Sequence, residues 1–117
     1  MDQSTLLAYC MEKPGTDQRL HQEWQANQVT VGEVMFAMAH EVEGKPAFTL
    51  KSSAEMAVAL RNEYRSAAPC GLLNKTHWTT LFLAGDIPDS QFYHLADAAW
   101  RLAVESLPDA VRQELDI

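Results

Sequence analysis

Two glycine-centred turns constrain this chain more than any other feature. Gln28-Val29-Thr30-Val31 alternates polar and apolar side chains and runs into Gly32-Glu33. Val34 to Val42 follows, then a second turn, Glu43-Gly44-Lys45-Pro46, and then Ala47-Phe48-Thr49-Leu50-Lys51. By propensity alone Met35-Phe36-Ala37-Met38-Ala39 would suit a helix. Enclosed between two tight turns and flanked by period-2 patterns, it reads as the middle strand of a three-stranded antiparallel meander.

The rest of the chain reads as helices that cover such a sheet. Residues 3–13 carry Leu6, Leu7, Cys10 and Met11 at helical spacing, with Asp2 or Ser4 as cap, and Pro14-Gly15 ends them. Residues 17–25 hold Leu20 and Trp24 among polar groups and read as extended. Ser52-Ser53-Ala54-Glu55 has the form of a capping box and opens a helix over 53–65, on which Arg61 and Arg65 share a face. Residues 67–71 read as loop and 77–84 as a further strand. A long helix over 89–106, capped by Asp89, has a broad apolar face from Phe92 to Leu107. Its narrow polar stripe is His94, Asp97, Arg101 and Glu105, with Asp97 and Arg101 at ion-pair spacing. Pro108 starts a short closing helix through Leu115. The order predicts an α+β fold, one antiparallel sheet packed against helices, in a single domain spanning 1–117. Trp78 and Trp100 are expected to be mostly buried, and Trp24, among Gln22, Glu23 and Gln25, the most exposed tryptophan.

Composition narrows the function classes. A chain of 117 residues that is 47% hydrophobic can bury one core without disulfides or metals. Cys10 and Cys70 are too few for a disulfide framework or a zinc site. With no basic leader, no h-region and no apolar run long enough to span a bilayer, the expected compartment is the cytoplasm, with no membrane partner. The net charge of −7 is unevenly placed. Residues 45–80 hold five basic side chains (Lys45, Lys51, Arg61, Arg65, Lys75) and two acidic ones, while both flanking segments are strongly acidic. An acidic chain is repelled by nucleic acid at long range, so DNA contact requires this central segment to make a local positive patch.

The densest group of recognition-type side chains is Leu73-Asn74-Lys75-Thr76-His77-Trp78. It places an amide, a cation, an imidazole and an indole at a strand entrance. No phosphate loop, nucleophile elbow or paired-carboxylate motif accompanies it, and none of His21, His40, His77 and His94 has metal-ligand spacing. The residues therefore assign no catalytic group, no metal and no cofactor, and the chain reads as a non-enzymatic binding module. Cys10, among apolar neighbours, reads as a packing thiol.

Leu7-Ala8-Tyr9-Cys10-Met11-Glu12-Lys13-Pro14-Gly15, Val34-Met35-Phe36-Ala37-Met38, Leu50-Lys51, Leu73-Asn74-Lys75-Thr76-His77-Trp78, Pro88-Asp89-Ser90-Gln91 and Leu107-Pro108 together resemble the MmcQ/YjbR family of small bacterial proteins. The Asn-Lys-x-His-Trp element is the most specific of these. The resemblance implies a CyaY-like (frataxin-like) α+β fold with double-wing hairpins and a DNA-binding role. It brings no catalytic residues. Gly71 and Leu72 stand where many members carry an aromatic–His pair. Two readings result. In one, Lys45, Lys51, Arg61, Arg65 and Lys75, with Asn74, His77 and Trp78, meet DNA. In the other, the Lys75–Trp78 corner belongs to an adaptor for a protein or small ligand, in a monomer or weak dimer. Frataxin-like iron binding would need a carboxylate-rich ridge on the first helix, for which Glu12 and Asp17 make only a thin start.

Overall fold

The computed structural model describes residues 1–117. Six strands form one antiparallel sheet in the order β1-β2-β3-β4-β6-β5. They are β1 (Thr16–His21), β2 (Ala26–Val31), β3 (Val34–Val42), β4 (Lys45–Lys51), β5 (Ala67–Pro69) and β6 (Trp78–Phe82). The expected meander is present as β2, β3 and β4, and β3 is a strand, not a helix. Val31 pairs with Val34 and Val42 with Lys45, so each connection is a two-residue turn. Gly32 (φ 54°) and Glu33 (φ 69°), then Glu43 (φ 54°) and Gly44 (φ 77°), are all left-handed. This is the mirror-type turn that matches strand twist. Lys45 and Pro46, expected in the second turn, already belong to β4.

Helices α1 (Gln3–Met11), α2 (Ala54–Glu63), α3 (Asp89–Glu105) and α4 (Asp109–Leu115) complete the chain. Asp2 caps α1 by accepting the Thr5 N–H at 2.8 Å. α1 and α3 pack together across one sheet face. There Leu6, Phe36, Phe48, Leu81 and Phe92 are fully buried in one contiguous core. No helix is long and apolar enough to cross a membrane.

Several expectations need correction. Residues 67–69 are not loop but a short edge strand paired with β6. Their Ala-Ala-Pro sequence carries no alternation to reveal it, and Pro69 suits an edge that must not extend. The cap of α2 is Ser53, one residue later than the capping box implies. Its hydroxyl accepts the Met56 N–H at 3.1 Å. Asp89 is the first residue of α3 and Pro88 its cap position.

Asp97 does not pair with Arg101. It accepts from Tyr9 Oη at 2.7 Å and from Lys13 Nζ, tying α3 to α1. Lys13 also lies 5.0 Å from the Tyr9 ring centre and 5.6 Å from that of Trp100. All three tryptophans are half-buried, Trp24 among them. Its ring stacks on His21 at 4.4 Å.

Candidate functional site

The loop between β5 and β6 carries the recognition-type residues, and local bonds hold its shape. Asn74 Oδ1 accepts the Thr76 N–H at 2.8 Å, an Asx turn that bends the chain before β6. The His77 N–H donates back to the Asn74 carbonyl at 3.2 Å. The loop is then fastened to β4 and α2. The Ser52 N–H donates to the His77 carbonyl at 2.8 Å, and His77 Nδ1 lies 3.3 Å from the Ser52 carbonyl. Arg61 Nη1 donates to the Lys75 carbonyl at 2.9 Å.

These bonds gather six of the eight expected site residues at one corner. Lys51 pairs in register with Trp78, and Arg61, Asn74, Lys75 and His77 surround them. Asn74, Lys75 and His77 are exposed, and Lys51 and Arg61 half-buried. The Trp78 ring turns inward. It packs with Trp24, Met35 and Leu73 against Ala26, Met38 and Cys70 on the sheet face away from the helices. Trp78 therefore anchors the loop more than it presents a contact surface.

Lys45 and Arg65 do not join the corner. Lys45 opens β4 at the far end of the strand, about 20 Å from Lys51 at the rise of an extended chain. Arg65 stands at that same end, since the Ser66 carbonyl next to it accepts from the Phe82 N–H. The Asp86 carboxylate accepts the backbone N–H groups of Arg65 and Ser66 at 2.9 and 3.0 Å. Bonds from the Ser66 side chain and the Arg65 backbone hold its pKa below the usual value. An anion thus sits beside Arg65, which sequence spacing on α2 does not reveal.

The structure has three ion pairs: the N-terminal amine with Asp89, Lys13 with Asp97, and Arg112 with Asp109. None of Lys51, Arg61 and Lys75 takes part in one. Three cations outside any ion pair thus stand at one corner of a chain of net charge −7.

Two features escape sequence reasoning. On the outer sheet face, His40 (4% exposed) lies 2.6 Å from Thr49 Oγ1, which lies 2.8 Å from Thr80 Oγ1. Burial lowers the His40 pKa, so the ring stays neutral. The alternation of β3 places His40 on that face, but only the register with β4 and β6 supplies its partners. The second feature is Thr79, fully buried and without a hydrogen-bonding partner for its hydroxyl.

A family model for YjbR matches residues 11–102. The chain is 48% identical to YjbR of Escherichia coli K12 over 112 residues, covering 96% of this chain and 95% of that protein. It is 27% identical to YbdF of Escherichia coli O157:H7 over 77 residues, 66% of this chain and 63% of that one. Among solved structures it is similar to the Deinococcus radiodurans protein DR2400, a DUF419 domain. The TM-score there is 0.88 at 25% identity, over 99% of this chain and 88% of the other. A Pseudomonas syringae protein shares the fold at a TM-score of 0.78 and 18% identity, over 88% of this chain and 99% of that one. The chain belongs to the YjbR family.

Proposed function

We propose that this chain is a non-enzymatic DNA-binding module that grips the phosphate backbone with its Lys51–Arg61–Lys75 corner. The observation that carries this reading is the convergence of three cations on one corner, none of them in an ion pair. Phosphate contact needs charge and exposed donors, and it needs no base-reading helix. Asn74 adds an amide donor beside the cations, and the Asx turn pre-orders the loop that carries it. Three contacts make a weak, salt-sensitive grip, with sequence preference left to DNA shape. Lys45 and Arg65 have no part in it.

On the same reading the layering of helices on one face of the antiparallel sheet is CyaY-like (frataxin-like). The β1–β2 and β3–β4 hairpins are its two wings. The compartment is the cytoplasm, where the two buried free thiols stay reduced.

The test is amide chemical-shift mapping by NMR as a short duplex is added at low salt. Shifts concentrated at residues 51–53, Arg61 and residues 74–77 are expected. Shifts centred on either hairpin tip, or none at all, overturn the assignment of the corner.

A further inference from the structure

One long edge of the sheet is open. The β5 edge is 3 residues long and ends in Pro69, which has no N–H to offer a further strand. The β1 edge has neither proline nor lysine, and its register with β2 runs through all 6 residues without a bulge. Asp17, Gln18, Arg19 and Leu20 are all exposed. Gln18 lies in register with the core residue Val29, so it and Leu20 share the helix side of the sheet, and the helix layer stops short of them. Leu20 is 51% exposed. The Gln18 N–H turns away from β2 and bonds the Asp17 carboxylate at 2.8 Å. By the alternation of an antiparallel ladder, Thr16, Gln18 and Leu20 therefore turn their backbone groups outward. An unpaired row of this kind is a template for another strand.

The side chains of the edge select the strand that fits. Asp17 and Arg19 lie on the other sheet face, line one hollow with Gln28 and Thr30, and are in no ion pair. An antiparallel copy of β1 centred on Gln18 sets Asp17 opposite the second copy's Arg19, and the two-fold axis repeats the pair. These are non-hydrogen-bonded positions, where facing side chains come closest. Gln18 meets Gln18 and Thr16 meets Leu20 at the hydrogen-bonded positions, the residues whose backbone groups point outward. Centring the copy on Asp17 or on Arg19 keeps that parity but sets two aspartates or two arginines face to face, which is destabilising. Only the Gln18-centred register is charge-complementary.

We propose that β1 is a self-association edge, through which two copies of this chain pair antiparallel over residues 16–20 and join their sheets into one. The second copy's Gln18 carbonyl takes over the Gln18 N–H, which releases the Asp17 carboxylate to meet Arg19. The axis is perpendicular to the sheet, so both helix layers lie on the same side. Both Lys51–Arg61–Lys75 corners stay free, because β4 and β6 stand beyond β2 and β3 in the strand order. A single strand pair is a small interface, so the dimer is weak and concentration-dependent.

The test is sedimentation equilibrium of the full chain at low salt. A monomer–dimer equilibrium is expected, with half the chains paired at roughly millimolar protein. Asp17→Arg and Arg19→Asp should each weaken pairing about tenfold, because like charges then face each other twice. Asp17→Arg also reduces the net negative charge, so weaker pairing in that variant is no effect of overall repulsion. An equimolar mixture of the two variants should pair like wild type, since each arginine then faces an aspartate. The double variant Asp17→Arg/Arg19→Asp should do so too. Weakening in each single variant with recovery in both combinations is particular to the Gln18-centred register. Gln18→Pro removes an N–H that β2 does not use and should abolish pairing in a folded chain. If that variant does not fold, the charge variants decide by themselves. A monomer at every concentration overturns the proposal, as does pairing unchanged in either single charge reversal. A mixture that pairs no better than the single variants, or association that survives Gln18→Pro in a folded chain, does the same.

Discussion

Replacing Thr79 by valine should stabilise the protein in ligand-free buffer. Threonine and valine have nearly the same shape, and Thr79 sits in β6 between Leu50 of β4 and Pro69 of β5. Both residues favour strands, so the backbone term is small. What changes is the hydroxyl. It is fully buried and bonds no protein group. Burying such a group unpaired costs about 1–3 kcal/mol, and the methyl that replaces it adds up to about 0.8 kcal/mol of apolar burial. The half-open pocket between α2 and α3 that Thr79 helps to line leaves some of the new methyl's surroundings unfilled, which reduces the gain. A net gain of about 1–2 kcal/mol results. For a domain of this size each kcal/mol is worth about 4 °C in Tm. Urea unfolding followed by circular dichroism should show a raised midpoint at constant m-value, which isolates stability from changes in compactness. A loss of about 1 kcal/mol would mean that the hydroxyl is bonded in the folded protein, and the argument from an unpaired group would fail.

Asp97→Ala should cost about 1–2 kcal/mol, since it removes bonds to Tyr9 and Lys13 at a half-exposed site where solvent screens part of the charge. Burial pushes the Asp97 pKa up, but the bonds from Lys13 and Tyr9 outweigh it and hold the pKa below the usual value. Ultraviolet titration should in turn place Tyr9 well above an ordinary tyrosine, at about 12, because of its bond to Asp97 and its burial. His40 has its folded pKa lowered by burial, so the unfolded chain takes up that proton first. The resulting stability is complete above the ordinary histidine value of 6.5 and falls as pH drops below it. Urea midpoints of wild type should therefore decline between about pH 7 and pH 5.5 more steeply than those of His40→Asn; parallel declines would contradict it. Gly32→Ala should lose about 2 kcal/mol in thermal unfolding, because Gly32 has φ 54° and an added Cβ would meet the Leu107 methyls at 2.8 and 2.9 Å.

The meander was legible because each turn announced itself twice, once by a glycine and once by the alternation on either side. Position overrode the helical propensity of Met35 to Ala39, and β3 forms accordingly. The first helix was legible through its cap and its apolar spacing. β5 was not, since three residues are too few to show a period and its pairing with β6 is decided by tertiary contact. The partner of Asp97 was missed because i,i+4 spacing sees one helix, while Lys13 comes from the segment after α1.

At the site, the run from Asn74 to Trp78 was visible as a group of chemical types. Its neighbours Lys51 and Arg61 join it only through the β4–β6 register and the bond to the Lys75 carbonyl. Arg65 shares the face of Arg61 by helical arithmetic, but α2 ends at Glu63 and the chain leaves the helix before Arg65. The half-open pocket between α2 and α3 had no sequence signal, because it is a gap between elements and not a pattern within one. Arg101, read as part of a solvated stripe, is exposed and lines the edge of that pocket.

A salt titration of duplex binding, read by fluorescence anisotropy, tests the central claim most directly. Each phosphate contact releases counterions, so three contacts give a log–log slope of about −2.7. Lys75→Ala should bring the slope to about −1.8 and weaken binding uniformly across sequences. Arg65→Ala, at the other end of the sheet beside Asp86, should leave it unchanged. No binding at low salt, where electrostatic attraction is strongest, or a slope that responds to Arg65 and not to Lys75, contradicts the account.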